Sequence, residues 1–292
     1  MNPAATSVSI LVVQGPEATE SRAAELAELS GATALEAVGH ASDDAAPNRA
    51  WRLRGATRRE PVAAWCEANR LDHAWVPEGR RFNELKLLAI DMDATLITIE
   101  CIEEIGGFIN KKDEIAAITA QAMRGEIDYP ASLRQRVALL AGLDEDVLQD
   151  VYDEKLRLSP GAEKLVAHCK RHGIKLLLVS GGFTFFTERL KQRLGLDEAI
   201  ANVLEIDNGK LSGRVLGTIV DAEAKAAKFR HMARRLGATR EQTVAIGDGA
   251  NDLKMMAEAG TSIAYRAKPI VRAKAAYCLN YSGLDGVLNL FA

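Results

Sequence analysis

The feature that most constrains the fold of this chain is a set of three polar clusters, each directly after a short apolar run. The clusters occupy residues 91–95, 180–182 and 248–252. Runs of this kind are typical of strands buried on both faces of a parallel sheet. In open α/β sheets, ligands bind at the carboxyl ends of the strands. The sequence therefore predicts an α/β fold in which the three clusters lie together at one edge of a parallel sheet.

The first part of the chain differs in composition from the rest, and the change falls near residue 82. All tryptophans (Trp51, Trp65 and Trp75) lie before that point, whereas every lysine and tyrosine lies after it. We interpret residues 1–83 as a small α+β domain without a catalytic motif, and we assign it no role. Its predicted elements are strands over 7–13, 33–38, 49–54 and 73–76, helices over 17–29 and 61–69, and a loop over 43–48.

Strands and helices alternate along residues 84–292, as is typical of an α/β domain with a parallel sheet. Residues 100–158 interrupt this alternation, because their pattern is helical and contains no convincing strand. The other predicted elements are strands over 86–90, 174–179, 243–246 and 261–264, a hairpin over 204–215, and helices over 222–236 and 252–259. A further helix is predicted to start at Ser159, with that hydroxyl as its cap, and to end near His172.

Charge and composition limit the possible partners. The net charge of −3 gives no basic surface for nucleic acid or for an acidic membrane. The first residues show no signal-peptide pattern, and no uncharged stretch of about 18 apolar residues exists, so we expect neither a signal peptide nor a transmembrane helix. Its four cysteines show no paired spacing, which indicates reduced thiols. We therefore expect a cytoplasmic protein that binds a small molecule, and we assign no oligomeric state.

Asp91 and Asp93 follow the first buried strand and are two residues apart, so their side chains point the same way in an extended chain. Two neighbouring carboxylates are costly to bury unless a cation or a shared proton accompanies them. Mg²⁺ suits such a pair, because it prefers a few carboxylates and bridges to phosphate. The pair therefore predicts a Mg²⁺ site.

The second cluster, Ser180 with Gly181 and Gly182, combines a hydroxyl with bare backbone N–H groups, as a phosphate cradle requires. Lys225 lies in the first turns of a predicted helix and provides a cation for phosphate and for Asp91.

In the third cluster, glycines around Asp248 allow the backbone to approach a ligand closely. If a helix starts within this turn, Asp248, Asn251 and Asp252 lie on one of its faces. That face would supply carboxylate oxygens for the metal ion and an amide for the substrate.

These residues resemble, in order and spacing, the four motifs of the haloacid dehalogenase superfamily. The motifs are Asp91-Met92-Asp93-Ala94-Thr95, Ser180, Lys225 and Gly247-Asp248-Gly249-Ala250-Asn251-Asp252. The resemblance extends from residue 87 to the last residue. It implies a Rossmann-like parallel-sheet core with a helical cap, about residues 100–158, inserted after the first strand. Ala94 departs from the family pattern, where serine is usual, and we expect little effect.

Within that superfamily the chain is similar to the bacterial phosphoserine phosphatases. The segments that carry this similarity are Glu100, residues 123–129 with Met123 and Tyr129, and residues 132–137. The resemblance implies hydrolysis of O-phospho-L-serine, the last step of serine biosynthesis, through an aspartyl-phosphate. By this resemblance, Glu100 would bind the substrate ammonium group and Arg136 would bind the substrate carboxylate. Arg134 remains an alternative to Arg136 in that role.

The resemblance also assigns the remaining roles. Asp91 would be the nucleophile, and Asp93 would be the general acid and base. Mg²⁺ would be held by Asp91, Asp93 and Asp248. The phosphate would be bound by Ser180, Gly181, Lys225 and Asn251. Supporting positions would be Asp252, Thr95, Met123 and Tyr129.

Three other functions fit the same sequence. A phosphotransferase of this fold would pass the phosphoryl group to an alcohol, and a related phosphatase would use another small phosphoester. A binding protein with an inactive hydrolase domain would usually lack one of the acidic residues or the lysine, and all of these are present here.

Overall fold

The computed structural model describes residues 9–38 and 49–291. The strands are β1 (Ser9–Gly15), β2 (Ala34–Ala37), β3 (Arg49–Arg54), β4 (Asp72–Pro77), β5 (Leu87–Asp91), β6 (Lys175–Phe183), β7 (Glu198–Asp207), β8 (Lys210–Leu216), β9 (Thr243–Gly247), β10 (Thr261–Tyr265) and β11 (Tyr277–Leu279). The helices are α1 (Glu20–Ser30), α2 (Glu60–Ala68), α3 (Cys101–Gly107), α4 (Lys112–Met123), α5 (Tyr129–Ala138), α6 (Asp146–Asp150), α7 (Ala162–Arg171), α8 (Thr184–Leu194), α9 (Ala222–Arg235), α10 (Leu253–Glu258) and α11 (Pro269–Arg272). None of the helices in these described ranges is both long and apolar enough to cross a membrane.

The larger sheet has seven strands in the order β11-β10-β9-β5-β6-β7-β8, and every neighbouring pair is parallel except β7 with β8. Strand β5 is buried along its whole length and lies between β6 and β9. All three of the polar clusters lie at the carboxyl ends of these central strands, so they meet at one edge of the sheet. The predicted α/β class with a Rossmann-like core is confirmed.

Strands β7 and β8 form the predicted hairpin. The two residues between them, Asn208 and Gly209, both have left-handed backbone angles, with φ of 51° and 78°. This is the geometry of the two-residue turn that matches the twist of paired strands, and it favours Asn-Gly.

The insertion between β5 and α7 is helical, as predicted. Helices α3 to α6 lie within residues 100–158, all of which the structure describes. That segment contains two isolated bridges, Asp144 to Lys210 and Leu158 to Ile97, but no strand. Helix α5 begins with a capped turn, because the Asp128 side chain accepts a hydrogen bond from the Ala131 N–H at 2.6 Å.

The smaller sheet is antiparallel, in the order β2-β3-β1-β4. One of its faces packs under α1 and α2 through residues such as Leu11 and Leu53. The alternate residues of β1, Ile10 and Val12, belong instead to the same apolar core as the large sheet. We call residues 9–77 the N-terminal unit. The predicted positions 7, 8 and 43–48 lie outside the described residues.

A buried carboxylate anchors this unit to the core. Asp72 is 3% exposed, and it accepts hydrogen bonds from the backbone N–H groups of Asn280 at 2.7 Å, Tyr281 and Ser282. Three N–H donors satisfy a carboxylate well, so its burial is compatible with a stable interface.

The predicted start of α7 is wrong. The residue before the helix is Gly161, with φ of 79°, and no side chain caps the first turn. Ser159 contacts the first turn of α7 through its backbone carbonyl, which accepts a hydrogen bond from the Ala162 N–H at 3.0 Å.

Candidate active site

The centre of the site is a lysine between two aspartates. Asp91, the last residue of β5, is 4% exposed, and Lys225 in the first turn of α9 is fully buried. The Lys225 Nζ donates hydrogen bonds to Asp91 Oδ1 and to Asp252 Oδ1, the latter at 2.8 Å. Burial alone would lower the pKa of Lys225, but Asp252 and Asp91 raise it above its ordinary value. The lysine is therefore a permanent cation beside the predicted nucleophile.

The chain turns sharply after Asp91, and Ala94 in this turn has φ of 52°. The turn brings the Asp93 carboxylate to the start of the cap. Asp93 Oδ1 accepts a hydrogen bond from the Cys101 N–H at 2.8 Å, and Oδ2 accepts one from Ser180 Oγ at 3.2 Å. Burial raises the pKa of Asp93, although both hydrogen bonds oppose this. A carboxyl group with a raised pKa is suited to moving a proton near neutral pH.

The last residues of β6 include two glycines, which are needed because other groups approach the backbone closely there. A Cβ at Gly181 would lie 2.2 Å from Tyr129 Oη, and a Cβ at Gly182 would lie 2.8 Å from Asp93 Oδ2. Ser180 Oγ accepts a hydrogen bond from the Gly182 N–H at 2.8 Å. Tyr129 of α5 donates a hydrogen bond to the Gly181 carbonyl at 2.8 Å, so the cap contacts the predicted phosphate cradle directly.

The third cluster is arranged differently from the prediction. A short 3-10 turn over Ala250–Asp252 precedes α10, so Asp248 lies before the helix and not on its face. Asp248 still meets the other clusters, because Thr95 Oγ1 donates to its Oδ1 at 3.4 Å. Asn251 is half-buried and lines the cavity described below.

Oxygen atoms of Asp91, Asp248 and Asp252 all lie within 4.8 Å of one another. Burial, and then Asp252, raise the pKa of Asp248 to about 6, and the same two causes raise the pKa of Asp91. Burial and the neighbouring charge both disfavour the ionised carboxylates, and a bound cation would offset both effects. Asp252 already accepts hydrogen bonds from Lys225 and from the Gly249 N–H, so Asp91 and Asp248 have the free oxygens. This buried acidic group can hold a metal ion, and its oxygen donors fit a hard divalent one.

A cavity of about 390 Å³ extends from Asp91 into the cap. Arg136 of α5 lines it and is 8% exposed, and its Nε donates a hydrogen bond to the Ser132 carbonyl at 3.3 Å. Arg134, in the same helix, is exposed and does not line the cavity. The geometry therefore favours Arg136 over Arg134 for contact with a ligand.

Glu100, directly before α3, also lines this cavity. Burial, followed by the charges of Asp93 and Asp248, raises the pKa of Glu100 to about 8. A buried carboxyl group among other carboxylates is stabilised by a cationic ligand, and an ammonium group is one.

The structure brings most of the predicted residues to this cavity. Those that line it are Asp91, Asp93, Glu100, Tyr129, Arg136, Gly181, Asp248 and Asn251. Those that are buried and do not line it are Thr95, Ser180, Lys225 and Asp252. The side chain of Met123 lies outside those that the structure describes.

Two residues of the site were not predicted from the sequence. Lys268 lines the cavity, and its N–H donates to the Asp248 carbonyl at 3.0 Å. It follows β10 closely, which is the same signal that marked the three clusters. Asn202 of β7 donates to the Gly181 carbonyl at 2.8 Å and so fixes the cradle, but a single asparagine within a strand carries no sequence signal.

The comparison with protein families agrees with this geometry. The family described as haloacid dehalogenase-like hydrolase matches residues 88–257, and the chain belongs to that family. Within this family, the chain is similar in sequence to proteins named phosphoserine phosphatase, as two examples show. A protein of Polaromonas sp. named phosphoserine phosphatase is 52% identical over 215 residues, which cover 72% of this chain and 91% of that relative. The phosphoserine phosphatase of Vibrio cholerae is 44% identical over 226 residues, covering 77% and 69%.

Solved structures give the same result. A probable phosphoserine phosphatase from Vibrio cholerae, in unliganded form, superposes with a TM-score of 0.82 and 36% identity, covering 100% of this chain and 88% of that one. A substrate-bound phosphoserine phosphatase complex superposes with a TM-score of 0.67 and 36% identity, covering 71% and 99%.

Proposed function

We propose that this protein is a phosphoserine phosphatase, which hydrolyses O-phospho-L-serine to L-serine and phosphate. One observation carries the proposal: a single cavity joins Asp91, next to the buried Lys225, to Glu100 and Arg136. A carboxyl group and a guanidinium group in the same cavity as the nucleophile suit the ammonium and carboxylate of an amino acid. The names of the relatives support the same substrate.

In the first step, a carboxylate oxygen of Asp91 attacks phosphorus and forms the aspartyl-phosphate, while the bond from phosphorus to the serine oxygen breaks. Asp93 gives its proton to the departing serine oxygen. In the second step, Asp93 takes a proton from a water molecule that attacks the same phosphorus. The bond to Asp91 then breaks, and phosphate leaves.

The protein groups around the phosphoryl group neutralise and orient it. We assign this role to Lys225, the Ser180 hydroxyl, the Gly181 N–H and the Asn251 amide. Asp91, Asp248 and the Asp93 backbone carbonyl would hold Mg²⁺, which would supply further positive charge to the phosphoryl group.

The cap links recognition to chemistry. Its residues Tyr129 and Arg136 belong to one helix, and Tyr129 is hydrogen-bonded to the Gly181 carbonyl beside the phosphate cradle. A substrate carboxylate bound by Arg136 therefore holds the same helix that closes over the reacting phosphoryl group and excludes water.

We also place the enzyme in the cytoplasm, because its four cysteines are free thiols.

The direct test is phosphate release from O-phospho-L-serine with Mg²⁺ and with EDTA, beside phosphothreonine, a sugar phosphate and p-nitrophenyl phosphate. We expect Mg²⁺-dependent turnover with a strong preference for O-phospho-L-serine. Turnover of the other esters alone would retain the Asp91 chemistry and reject the substrate.

Arg136→Ala tests the assigned recognition of the substrate carboxylate. We expect kcat/KM for O-phospho-L-serine to fall about 10- to 100-fold, because one charge-assisted contact is lost. The value for p-nitrophenyl phosphate, which has no carboxylate, should change little. Arg134→Ala in the same helix is the matched control, since that side chain is exposed, and it should leave both values unchanged. Equal losses on both substrates in Arg136→Ala would contradict the assignment.

The raised pKa of Glu100 predicts a pH dependence. Below its pKa of about 8 this carboxyl group is mostly neutral and attracts an ammonium group less. We therefore expect kcat/KM for O-phospho-L-serine to rise with pH, with a midpoint at about pH 8, and to level off about one unit above it. In Glu100→Gln this rise should disappear, whereas the profile for p-nitrophenyl phosphate should match in both proteins. If kcat/KM for O-phospho-L-serine still rises with pH in Glu100→Gln, the pH dependence would belong to another group.

The same pKa has a consequence for stability. The folded-state pKa of Glu100 is raised above its ordinary value of 4.5, so folding must retain a proton that the unfolded chain releases. This group therefore lowers the free energy of unfolding as pH rises from about 4.5 towards 8.

A further inference from the structure

A second cavity, of about 640 Å³, lies between the N-terminal unit and the large sheet. We call it the interdomain cleft. The N-terminal unit contributes Glu17 and Arg70 to it, and the core contributes Arg266, Arg272 and residues 280–281. The segment 266–272 also supplies Lys268 to the active-site cavity, so one short segment lines both cavities.

Three arginines converge on the interdomain cleft from separate places in the fold. Arg70 lies between α2 and β4, Arg266 follows β10, and Arg272 ends α11. All three are exposed, and none forms an ion pair within the part of the chain that the structure describes. The acidic residue of the lining, Glu17, is already paired with Arg22 at 3.0 Å. The cleft therefore has an excess of uncompensated positive charge.

The backbone at two of these arginines is unusual. Arg70 and Arg266 have φ of 56° and 45°, in the left-handed region that residues other than glycine rarely adopt. Two such residues are thus brought to a single cleft. The guanidinium carbon of Arg70 lies 5.7 Å from the centre of the Tyr281 ring, and that of Arg266 lies 5.4 Å from the Tyr265 ring. At these distances each ring attracts its guanidinium group through a cation–π interaction.

The wall of the interdomain cleft is held in place by hydrogen bonds to its backbone. The buried Asp72 carboxylate fixes the backbone of Asn280 and Tyr281, which line the cleft. The Arg266 N–H donates a hydrogen bond to the Leu279 carbonyl at 2.8 Å. Groups that are positioned before a ligand arrives bind it at a lower entropic cost.

From these observations we propose that the interdomain cleft binds a small polyanion that carries two or more carboxylate or phosphate groups. The guanidinium groups of Arg70, Arg266 and Arg272 would each bind one oxyanion through paired hydrogen bonds. The Asn280 amide and the Tyr281 ring would form the remaining wall. The volume is that of a metabolite site, and its charge selects against neutral and cationic ligands.

The proposal is tested by isothermal titration calorimetry of the full chain at low salt, after metal ions have been removed from the protein with a chelating resin. The probes are propane-1,2,3-tricarboxylate and inorganic pyrophosphate, which distinguish carboxylate from phosphate ligands. Without metal, the acidic active site disfavours both. We expect the wild-type protein to bind at least one probe, with an affinity that falls as salt is added.

Variants locate the binding. Arg70→Gln/Arg266→Gln should weaken it about 10- to 100-fold, and Arg272→Gln alone should weaken it about tenfold. The matched control is Arg134→Gln/Arg171→Gln, which removes the same charge from two exposed arginines away from the cleft and should leave the affinity unchanged. Failure of the wild-type protein to bind either probe, or equal binding by the cleft variants and the control, would overturn the proposal.

Discussion

Asp91→Asn is expected to abolish hydrolysis of O-phospho-L-serine. An asparagine amide cannot form the acyl-phosphate, so the covalent route is closed, and we expect kcat to fall by about a thousandfold or more. The fold should persist, because asparagine has the same size and Lys225 keeps its 2.8 Å contact with Asp252. Phosphate release and acid-quench trapping of the phosphoenzyme are the two measurements, and both signals should be lost.

Asp207→Asn is the matched control. This residue is exposed at the end of β7, and the same chemical change there should leave both signals unaltered. A phosphoenzyme that still forms in Asp91→Asn would place the nucleophile elsewhere.

Lys225→Met is expected to cause the largest loss of stability. The ammonium group of Lys225 lies between two carboxylates, and all three side chains are almost fully buried. Its removal leaves Asp91 and Asp252 as uncompensated buried charges, which should lower the free energy of unfolding by about 3–5 kcal/mol. The measurement is urea unfolding in EDTA, together with phosphate release, which should be lost.

A second variant separates charge repulsion from lost packing. In Lys225→Met/Asp252→Asn one of the repelling carboxylates is neutral, so part of the stability should return. Mg²⁺ should also narrow the gap between Lys225→Met and the wild-type protein, since a cation bound by the folded state takes over part of the lost charge. If the double variant is less stable than the single one, packing and not charge would explain the loss.

The core strands of the fold could be predicted because each combines a short apolar run with a polar cluster at its end. The ends of elements were less predictable. Strand β6 was expected to stop at residue 179, yet it runs to Phe183, because a shift in register lets Phe183 pair with Asn202 of β7. Pairing of this kind depends on a distant strand, which local sequence does not specify. Strand β11 was missed because three residues are too few to show a period.

The chemical groups of the site could be predicted from their residue types, but their directions could not. Arg134 and Arg136 are equivalent in the sequence, although two residues on a helix point about 200° apart. The structure places Arg136 in the cavity and Arg134 in solvent. Asp248 was expected on a helix face, whereas a turn before α10 carries it to Thr95. Which side of an element faces the site is decided by tertiary packing.

The shared apolar core has a consequence for how the chain opens. Ile10 and Val12 of β1 pack in the same cluster as Leu88 and Ile90 of the catalytic sheet. The N-terminal unit therefore has no independent interior on that face, and its amide protons in β1 should exchange with solvent through the same global opening as those of β5. Proteolytic removal of this unit would uncover an apolar surface on the catalytic sheet and favour aggregation. The N-terminal unit is thus part of the cooperative folding of the enzyme.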